Sequence, residues 1–125
     1  MLFRWGRFKG AAGYDLNWKI ECDALDDKDW ECIARMSRPL VPAFATASGV
    51  PRGGVRLAEI MDAYRRKDAT KVLIVDDVWT TGLSMHRYAL ELGLKDGQWH
   101  GFVVFSRSIR LPHWVTCLCE IQSPA

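Results

Sequence analysis

A chain of 125 residues is long enough to bury one hydrophobic core and too short for two, so we predict a single domain over residues 1–125. Within it, we expect residues 1–38 to form an N-terminal unit with the first helix and residues 39–125 to form the core. Apolar residues make up 49% of the chain and charged residues 26%, which excludes a disordered or collagen-like protein. The formal net charge is +2 and the basic residues are scattered, so nucleic acid is not an expected partner.

The four cysteines, Cys22, Cys32, Cys117 and Cys119, could form two disulfides, but no histidines flank them at the spacing of a zinc site. We therefore predict buried free thiols. The first ten residues mix basic and aromatic side chains without a continuous apolar stretch, so we predict neither a signal peptide nor a membrane span. These features favour a reducing cytoplasm and no membrane partner.

The N-terminal unit is predicted from glycine content, alternation and capping. Residues 6–13 contain three glycines and are interpreted either as a flexible lip over a site or as a loose terminus. Apolar and polar residues alternate over 14–22, which predicts a half-buried strand. Asp26 is placed to cap a helix that runs to about Ser37, and Pro39 prevents its continuation.

Strands and helices alternate in the rest of the chain. Apolar runs predict strands over residues 40–47, 72–75, 101–105 and 115–121. Helical spacing predicts one helix from about Leu57 to Tyr64 and a second that is capped by Ser84 and stops at Gly93. This order predicts an α/β fold with a doubly wound parallel sheet and right-handed crossovers.

The most informative stretch is residues 71–84, Lys-Val-Leu-Ile-Val-Asp-Asp-Val-Trp-Thr-Thr-Gly-Leu-Ser. Its aliphatic run predicts a buried strand that ends at Asp76 and Asp77, and a Thr-Thr-Gly loop then leads into a helix. The free N–H groups and the dipole at the start of a helix favour anions. Two carboxylates so close to an anion are unfavourable unless they bind neutral hydroxyls or a divalent cation. The stretch therefore predicts a sugar-phosphate site.

A second polar loop, Ser-Gly-Val-Pro-Arg-Gly-Gly at residues 48–54, follows the first predicted core strand. Arg52 is either an ordinary turn residue or an anion ligand, and the flanking glycines favour the second interpretation because they let backbone approach an anion. Ligands of open parallel sheets bind beyond the carboxyl ends of the strands. We therefore expect both loops and Arg107, which follows another strand, at one edge of the sheet.

Residues 72–82 resemble the phosphoribosyl-diphosphate motif of the type I phosphoribosyltransferases, and residues 49–54 resemble their diphosphate loop. Residues 8–20 resemble more weakly the start of orotate phosphoribosyltransferases. The resemblance implies the fold of that family, with a small N-terminal strand as a hood over the site. It also implies transfer of a 5-phosphoribosyl group from phosphoribosyl diphosphate to a nitrogenous base, pyrimidine or orotate-like, with release of diphosphate. Mg²⁺ is the implied cofactor and a homodimer the implied assembly, which six tryptophans in a small chain also favour.

The family roles are implied for the matching positions. Asp76 and Asp77 are the implied catalytic residues, which engage the ribose hydroxyls directly or through Mg²⁺-bound water. The implied ligands of the 5′-phosphate are Thr80, Thr81, Gly82 and Ser84. The implied ligands of the diphosphate are Arg52, Gly53 and Gly54, and the base is implied to meet Arg107 and Val78.

Several positions depart from the family pattern. Leu83 replaces a second glycine, which narrows access to the phosphate site. Trp79 replaces an aliphatic residue and is interpreted as packing beneath the loop rather than stacking on a base. Thr80 stands where purine-salvage relatives have an acidic residue, which disfavours a purine substrate.

Orotate enzymes also carry a mobile loop with a catalytic lysine before the motif strand, and here that connection is too short to supply one. Lys67 or Lys71 could substitute, although a solvated role is expected for both. An alternative is therefore a catalytically weak or inactive regulatory protein that binds phosphoribosyl diphosphate or a nucleotide. A receiver domain is a poor match, because only about fifty residues follow the acidic pair.

Overall fold

The computed structural model describes the backbone of residues 1–9, 15–107 and 110–121, and their side chains except those of 15–17. The chain begins with an antiparallel hairpin of β1 (Phe3–Lys9) and β2 (Asp15–Ile20). Helix α1 (Asp27–Ser37) follows, and Asp26 caps it as predicted: the Asp29 amide donates to Asp26 Oδ1 over 2.8 Å, and the Asp26 amide donates back to the Asp29 side chain.

The core is a parallel sheet of four strands, which lie side by side in sequence order. These strands are β3 (Thr46–Gly49), β4 (Val72–Trp79), β5 (Trp99–Ser106) and β6 (Val115–Glu120). Helix α2 (Val55–Met61) connects β3 to β4, and α3 (Leu83–Glu91) connects β4 to β5. Short 3-10 turns occupy Cys22–Ala24, Arg38–Leu40 and Asp62–Tyr64.

Helices cover both faces of the sheet. Leu73 and Val75 pack with α1 and α2 on one face, and Ile74, which alternates with them, packs with α3 on the other. The predicted doubly wound α/β fold is confirmed.

The predicted hand of the crossovers is wrong for one of the two. Both crossovers step in the same direction along the sheet, from β3 to β4 and from β4 to β5, but their helices lie on opposite faces. Two such crossovers have opposite hands, so one of them is left-handed against the usual rule.

Several element boundaries differ from the predictions. Residues 3–9 form a strand rather than the start of a lip, and residues 10–13 of that segment lie outside the described residues. The first core strand begins at Thr46 instead of residue 40, because Arg38–Leu40 forms a 3-10 turn with Pro39 inside it. Strand β4 continues through the acidic pair to Trp79, where a loop was expected.

The cysteines are free, but only Cys22 is buried. Cys117 is half-buried, and Cys32 and Cys119 are exposed, so burial was predicted wrongly for these three. Cys119 is exposed because β6 is an edge strand of the sheet, next to β5 alone.

No helix in the described part of the chain is long and apolar enough to cross a bilayer.

Candidate functional site at the carboxyl edge of the sheet

The parallel register brings the predicted site residues to one edge of the sheet. Gly49, the last residue of β3, pairs with Val75, one residue before the acidic pair. Trp79 pairs with Ser106, one residue before Arg107. The loop 50–54, the acidic pair and Arg107 therefore lie at the same edge, as the sequence predicted.

The acidic pair lies in the last four residues of strand β4 rather than in the loop that follows the strand. Asp76 is buried, with 9% of its surface exposed, and Asp77 is half-buried. The Asp77 amide donates to Asp76 Oδ1 over 2.8 Å, and the Val78 amide donates to Asp77 Oδ1 over 2.8 Å. These bonds give both carboxylates a fixed orientation.

Burial, together with the hydrogen bond and the negative charge of Asp77, raises the pKa of Asp76 to about 8. At neutral pH the pair therefore retains close to one proton. A divalent cation, or hydroxyl groups that donate to the pair, would compensate the second negative charge. The local chemistry is that of a site for a cation or for ribose-like hydroxyls.

The loop between β3 and α2 packs directly against this pair. The Val50 amide donates to the Val75 carbonyl over 2.8 Å, and the Gly54 amide donates to the Val50 carbonyl over 2.9 Å. A Cβ atom on Gly53 would collide with the Asp77 carboxylate, and one on Gly54 would collide with the Val75 carbonyl. Glycines are required here for close approach, and the Gly54 amide is already used inside the loop.

Arg52 is exposed and lines a pocket of about 220 Å³ beside the acidic pair. In the described chain it makes no ion pair, and the peptide bond that precedes it, from Pro51, is cis. Asp77 and Cys22 line the same pocket. Burial and, to a smaller extent, Asp77 raise the pKa of the Cys22 thiol to about 12, so the thiol is neutral at neutral pH.

A second pocket, of about 110 Å³, lies on the other side of the acidic pair at the start of α3. Gly82, with φ +82°, is the residue that caps α3, so the prediction that Ser84 is the cap is wrong. The pocket is lined by Asp76, Val78, Trp79, Thr80, Thr81, Gly82, Leu83, Ser84, Met85 and Arg87. Its size suits one phosphate group, and the first amides of α3 lack helical partners.

Trp79 packs beneath this loop, as predicted. It is buried, with 7% of its surface exposed, and a Cβ on Gly82 would collide with its ring. Leu83 lines the pocket while 54% of its surface is exposed, so it borders the anion site without closing it.

Arg107 contacts the hairpin through Trp18. Its Nη2 donates to the Trp18 carbonyl over 2.6 Å, and its guanidinium carbon lies 3.8 Å from the centroid of the Trp18 ring. Its Nη1 is buried and has no hydrogen-bond partner among the described residues. Burial lowers the pKa of Arg107. An acceptor from a ligand would satisfy the unpaired donor.

The sequence did not predict Trp18 or Cys22 as neighbours of the site. From the sequence, Trp18 was expected only on the apolar face of a strand. In the structure it is buried against Arg107, beside the candidate site. The alternation of apolar and polar residues predicts that Trp18 is buried but does not identify Arg107 as its partner, because the two residues are 89 positions apart.

Lys67 and Lys71 lie away from the candidate site. The Lys71 carbonyl accepts from the Ala45 amide, just before β3, so Lys71 lies at the amino ends of the strands. Five residues of extended strand separate Lys71 from Asp76, about 16 Å. Both lysines are exposed, as expected, and within the chain Lys71 is too far from Asp76 to substitute for the mobile-loop lysine.

Three solved structures share this architecture. The chain aligns over 96% of its length with orotate phosphoribosyltransferase from Aeropyrum pernix, at a TM-score of 0.70 and 18% identity, covering 88% of that chain. It aligns over 95% with the enzyme of the same name from Francisella tularensis, at a TM-score of 0.65 and 14% identity, covering 80% of that chain. The chain has the fold of the orotate phosphoribosyltransferases.

The same fold occurs in UMP synthase from Leishmania donovani, with a TM-score of 0.73 and 16% identity. The alignment covers 96% of this chain but 34% of that longer protein, so this chain spans about a third of it. No family model and no curated protein matches the sequence.

Proposed function

We propose that this protein transfers a 5-phosphoribosyl group from phosphoribosyl diphosphate to a nitrogenous base of the pyrimidine or orotate type, with release of diphosphate. The observation that carries the proposal is the order of three features along one sheet edge. Along this edge lie, in order, a phosphate-sized pocket at α3, the acidic pair, and the glycine loop with Arg52. The substrate has its 5′-phosphate, ribose and diphosphate in the same order.

Each feature has a role in this proposal. Thr80, Thr81, Gly82 and Ser84 bind the 5′-phosphate at the start of α3. Asp76 and Asp77 accept hydrogen bonds from the ribose hydroxyls and hold the ring in a fixed orientation for attack at its anomeric carbon. Arg52, with the close backbone approach that Gly53 and Gly54 permit, stabilises the negative charge of the departing diphosphate.

The acidic pair also fits Mg²⁺. This ion uses one or two carboxylates and completes its shell with water and substrate phosphates, so it does not need a dedicated cage of protein ligands. No group of three or more metal-ligating side chains occurs in the described residues. The ion would supply positive charge near the diphosphate.

Arg107 and Val78 are the proposed contacts of the base. The unpaired Nη1 of Arg107 is available for a carboxylate or keto oxygen, and Val78, which follows Asp77 on β4, lines the phosphate pocket at α3. A planar anionic substituent on the base suits a guanidinium that Trp18 already holds in place.

The experiment is incubation of the protein with phosphoribosyl diphosphate, Mg²⁺ and a panel of pyrimidine and purine bases, with diphosphate release as the readout. We expect release with a pyrimidine or orotate-like base, and loss of at least about a hundredfold in rate for Asp77→Asn. Asp68→Asn, a surface carboxylate paired with Arg66, is the matched control and retains the wild-type rate. Release that is equal in the two variants would contradict the proposal.

A second candidate is a regulatory protein that binds the same ligand without turning it over. This candidate is supported by the connection between the Asp62–Tyr64 turn and β4. The connection is short and lies at the amino edge of the sheet, whereas a catalytic lysine would have to reach the carboxyl edge. The Arg66 amide, held by the Phe44 carbonyl, fixes this connection to the sheet. Tight binding of phosphoribosyl diphosphate with no diphosphate release for any base would favour this candidate.

We also propose a homodimer in the cytoplasm. Large apolar side chains remain exposed, including Trp5 at 77% and Leu90 at 75%, and a partner copy would cover such surface. A reducing compartment suits four free cysteines. Light scattering at micromolar concentration should give twice the 14.2 kDa chain mass, and a monomer mass would refute the dimer.

A further inference from the structure

A larger pocket, of about 400 Å³, lies at the opposite edge of the sheet from the acidic pair. Its residues come from the amino ends of three neighbouring strands and from α3. They are Lys71, His86, Asp96, Gly97, Trp99, His100, His113 and Trp114. The volume is within the range of small-molecule sites, whereas the phosphate pocket at α3 is much smaller.

Three aromatic rings form one wall of this pocket. The Trp99 and Trp114 ring centroids are 4.9 Å apart at 65°, and His86 packs edge-on against both, at 5.8 Å from Trp99 and 4.9 Å from Trp114. Trp99 is buried, with 5% of its surface exposed, and Trp114 is half-buried. A rigid indole wall of this kind suits a flat aromatic ligand.

The polar side chains around the wall are mostly basic. Lys71 and His113 are exposed at the rim, and both act electrostatically on His100, whose pKa is lowered first by burial and then by these two charges. His100 Nε2 lies 2.8 Å from Thr116 Oγ1, so this ring has a fixed orientation. Asp96 is the carboxylate of the lining. The pocket thus combines one cationic side chain, Lys71, and several imidazole donors with one acceptor for hydroxyl or amino groups.

We propose that this pocket is a second ligand site, distinct from the phosphoribosyl site, which binds a mononucleotide. The base lies against Trp99 and Trp114, the phosphate lies near Lys71 and His113, and Asp96 accepts from a ribose hydroxyl or an exocyclic amine. The Asp96 carboxylate favours a ligand with hydroxyl or amino donors, which a nucleotide supplies, over an aromatic anion that lacks them.

The test is an NMR titration with AMP in the presence of saturating ribose 5-phosphate. Ribose 5-phosphate competes at the α3 phosphate pocket but has no ring to contact the indole wall. We expect AMP to shift the indole N–H signals of Trp99 and Trp114 saturably at millimolar concentration or below, while adenosine binds more weakly and ribose 5-phosphate alone leaves these signals in place. Shifts confined to residues 80–84, or no saturable shift of the two indoles, would overturn the proposal.

Charge variants test the rim. Lys71→Gln and His113→Gln alter exposed side chains and leave the fold intact, and we expect each to weaken AMP binding, about fivefold for Lys71→Gln at low salt. Lys67→Gln, an exposed lysine outside the pocket, is the matched control and keeps the wild-type affinity. Equal affinity of Lys71→Gln and Lys67→Gln would overturn the proposed phosphate contact. Because this titration does not depend on turnover, its failure is distinguishable from failure of the proposed transferase activity.

Discussion

At the scale of single residues, Asp76 is the most unusual group in the protein. It is a buried carboxyl whose nearest titratable neighbour is another carboxyl, and its pKa of about 8 stands above the ordinary value of 3.8. Such an arrangement is unfavourable for the folded chain alone, because ionisation of Asp76 opposes folding. Unfavourable local electrostatics of this kind are typical of sites that a ligand or cation completes.

The stability of the free protein should therefore depend on Asp76 in a definite direction. The raised pKa means that the folded state binds the proton more tightly than the unfolded chain does. The stabilising contribution of the protonated carboxyl is complete below about pH 4 and is lost as the pH rises towards 8. Asp76→Asn has no such proton, so its free energy of unfolding should exceed that of the wild type by about 2 kcal/mol or more at pH 8.

Denaturant unfolding of both proteins between pH 4 and 8, without added divalent cation, measures this difference. Other groups with shifted pKa values, such as Glu21 and Asp62, are common to both proteins and cancel in the subtraction. A difference that stays constant over this pH range would show that Asp76 is ionised in the folded state throughout.

Gly53 gives a test that separates binding from folding. A Cβ at this position collides with the Asp77 carboxylate, which the Val78 amide otherwise holds. We expect Gly53→Ala to rotate Asp77 out of place and to weaken binding of phosphoribosyl diphosphate at least about tenfold. The free energy of unfolding should change by only about 1 kcal/mol, since the displaced group is a side chain at the surface of the site.

Calorimetry of the Gly53→Ala protein measures its affinity for phosphoribosyl diphosphate, and thermal unfolding of the same sample measures its stability. The parallel variant Lys28→Ala, on the exposed side of α1, should alter neither. Unchanged affinity in Gly53→Ala would mean that the position of Asp77 does not matter for the ligand.

The residues of the candidate site could largely be predicted, because they occur in two short, contiguous stretches whose chemistry is local. Asp76, Asp77 and the Thr-Thr-Gly loop follow a strand, and Gly53 and Gly54 follow another. That these two stretches lie close together follows from the general rule that the ligand-binding loops of a parallel sheet lie at its carboxyl edge. The contact of Arg107 with Trp18 could not be predicted, since it joins distant segments through a single residue on each side.

Among the elements, the β1–β2 hairpin packs against the sheet on the side of Arg107. Among the described residues, Arg107 contacts Trp18, Phe3 packs on Phe105 with ring centroids 6.2 Å apart, and Ile20 packs against the core. Most of β1 is exposed, so few apolar contacts hold it. Such an element opens more easily than the core.

Arg107→Lys tests this attachment. Lysine lacks the planar fork that both stacks on Trp18 and donates to its carbonyl, so the change should loosen the hairpin. We expect amide hydrogen exchange in β2 to accelerate at least about tenfold, while exchange in β4 and β5 stays unchanged. Arg35→Lys, on the exposed face of α1, is the control. Equal exchange in β2 for the two variants would show that Arg107 does not hold the hairpin.

The elements differ in how well the sequence predicted them. Helix α1 begins at its predicted cap, because the capping signal of Asp26 is local. Strand β1 was not predicted. Most of its residues are exposed, so its sequence lacks the alternation of apolar and polar residues that marks a half-buried strand. Strand β4 was predicted too short, because carboxylates mark the end of apolar patterning but do not interrupt backbone pairing with β5.

At the scale of the whole molecule, the sheet presents a different chemistry at each edge. The carboxyl edge combines carboxylates, glycines and a helix start, whereas the amino edge combines indoles with basic side chains. Aromatic packing bridges the two, since Trp114 lies 5.9 Å from Trp79, which packs beneath the phosphate loop.

The connection from α2 to β4 has the largest consequence for function. It returns directly to the neighbouring strand, and α2 and α3 lie on opposite faces of the sheet, which makes one of their two crossovers left-handed. The sequence could predict that the connection was short, but not its hand, which depends on the face that each helix covers. Because no lysine of this connection reaches the acidic pair within the chain, the proposed transfer would depend on residues of the carboxyl edge of the sheet.

If the carboxyl edge binds phosphoribosyl diphosphate, titration calorimetry with that ligand in the presence of Mg²⁺ will detect the binding without any need for turnover. We predict one saturable site per chain, weakened at least about tenfold in Asp77→Asn and unchanged in Asp68→Asn. An absence of binding to the wild-type protein, or equal affinity in the two variants, would contradict the claim.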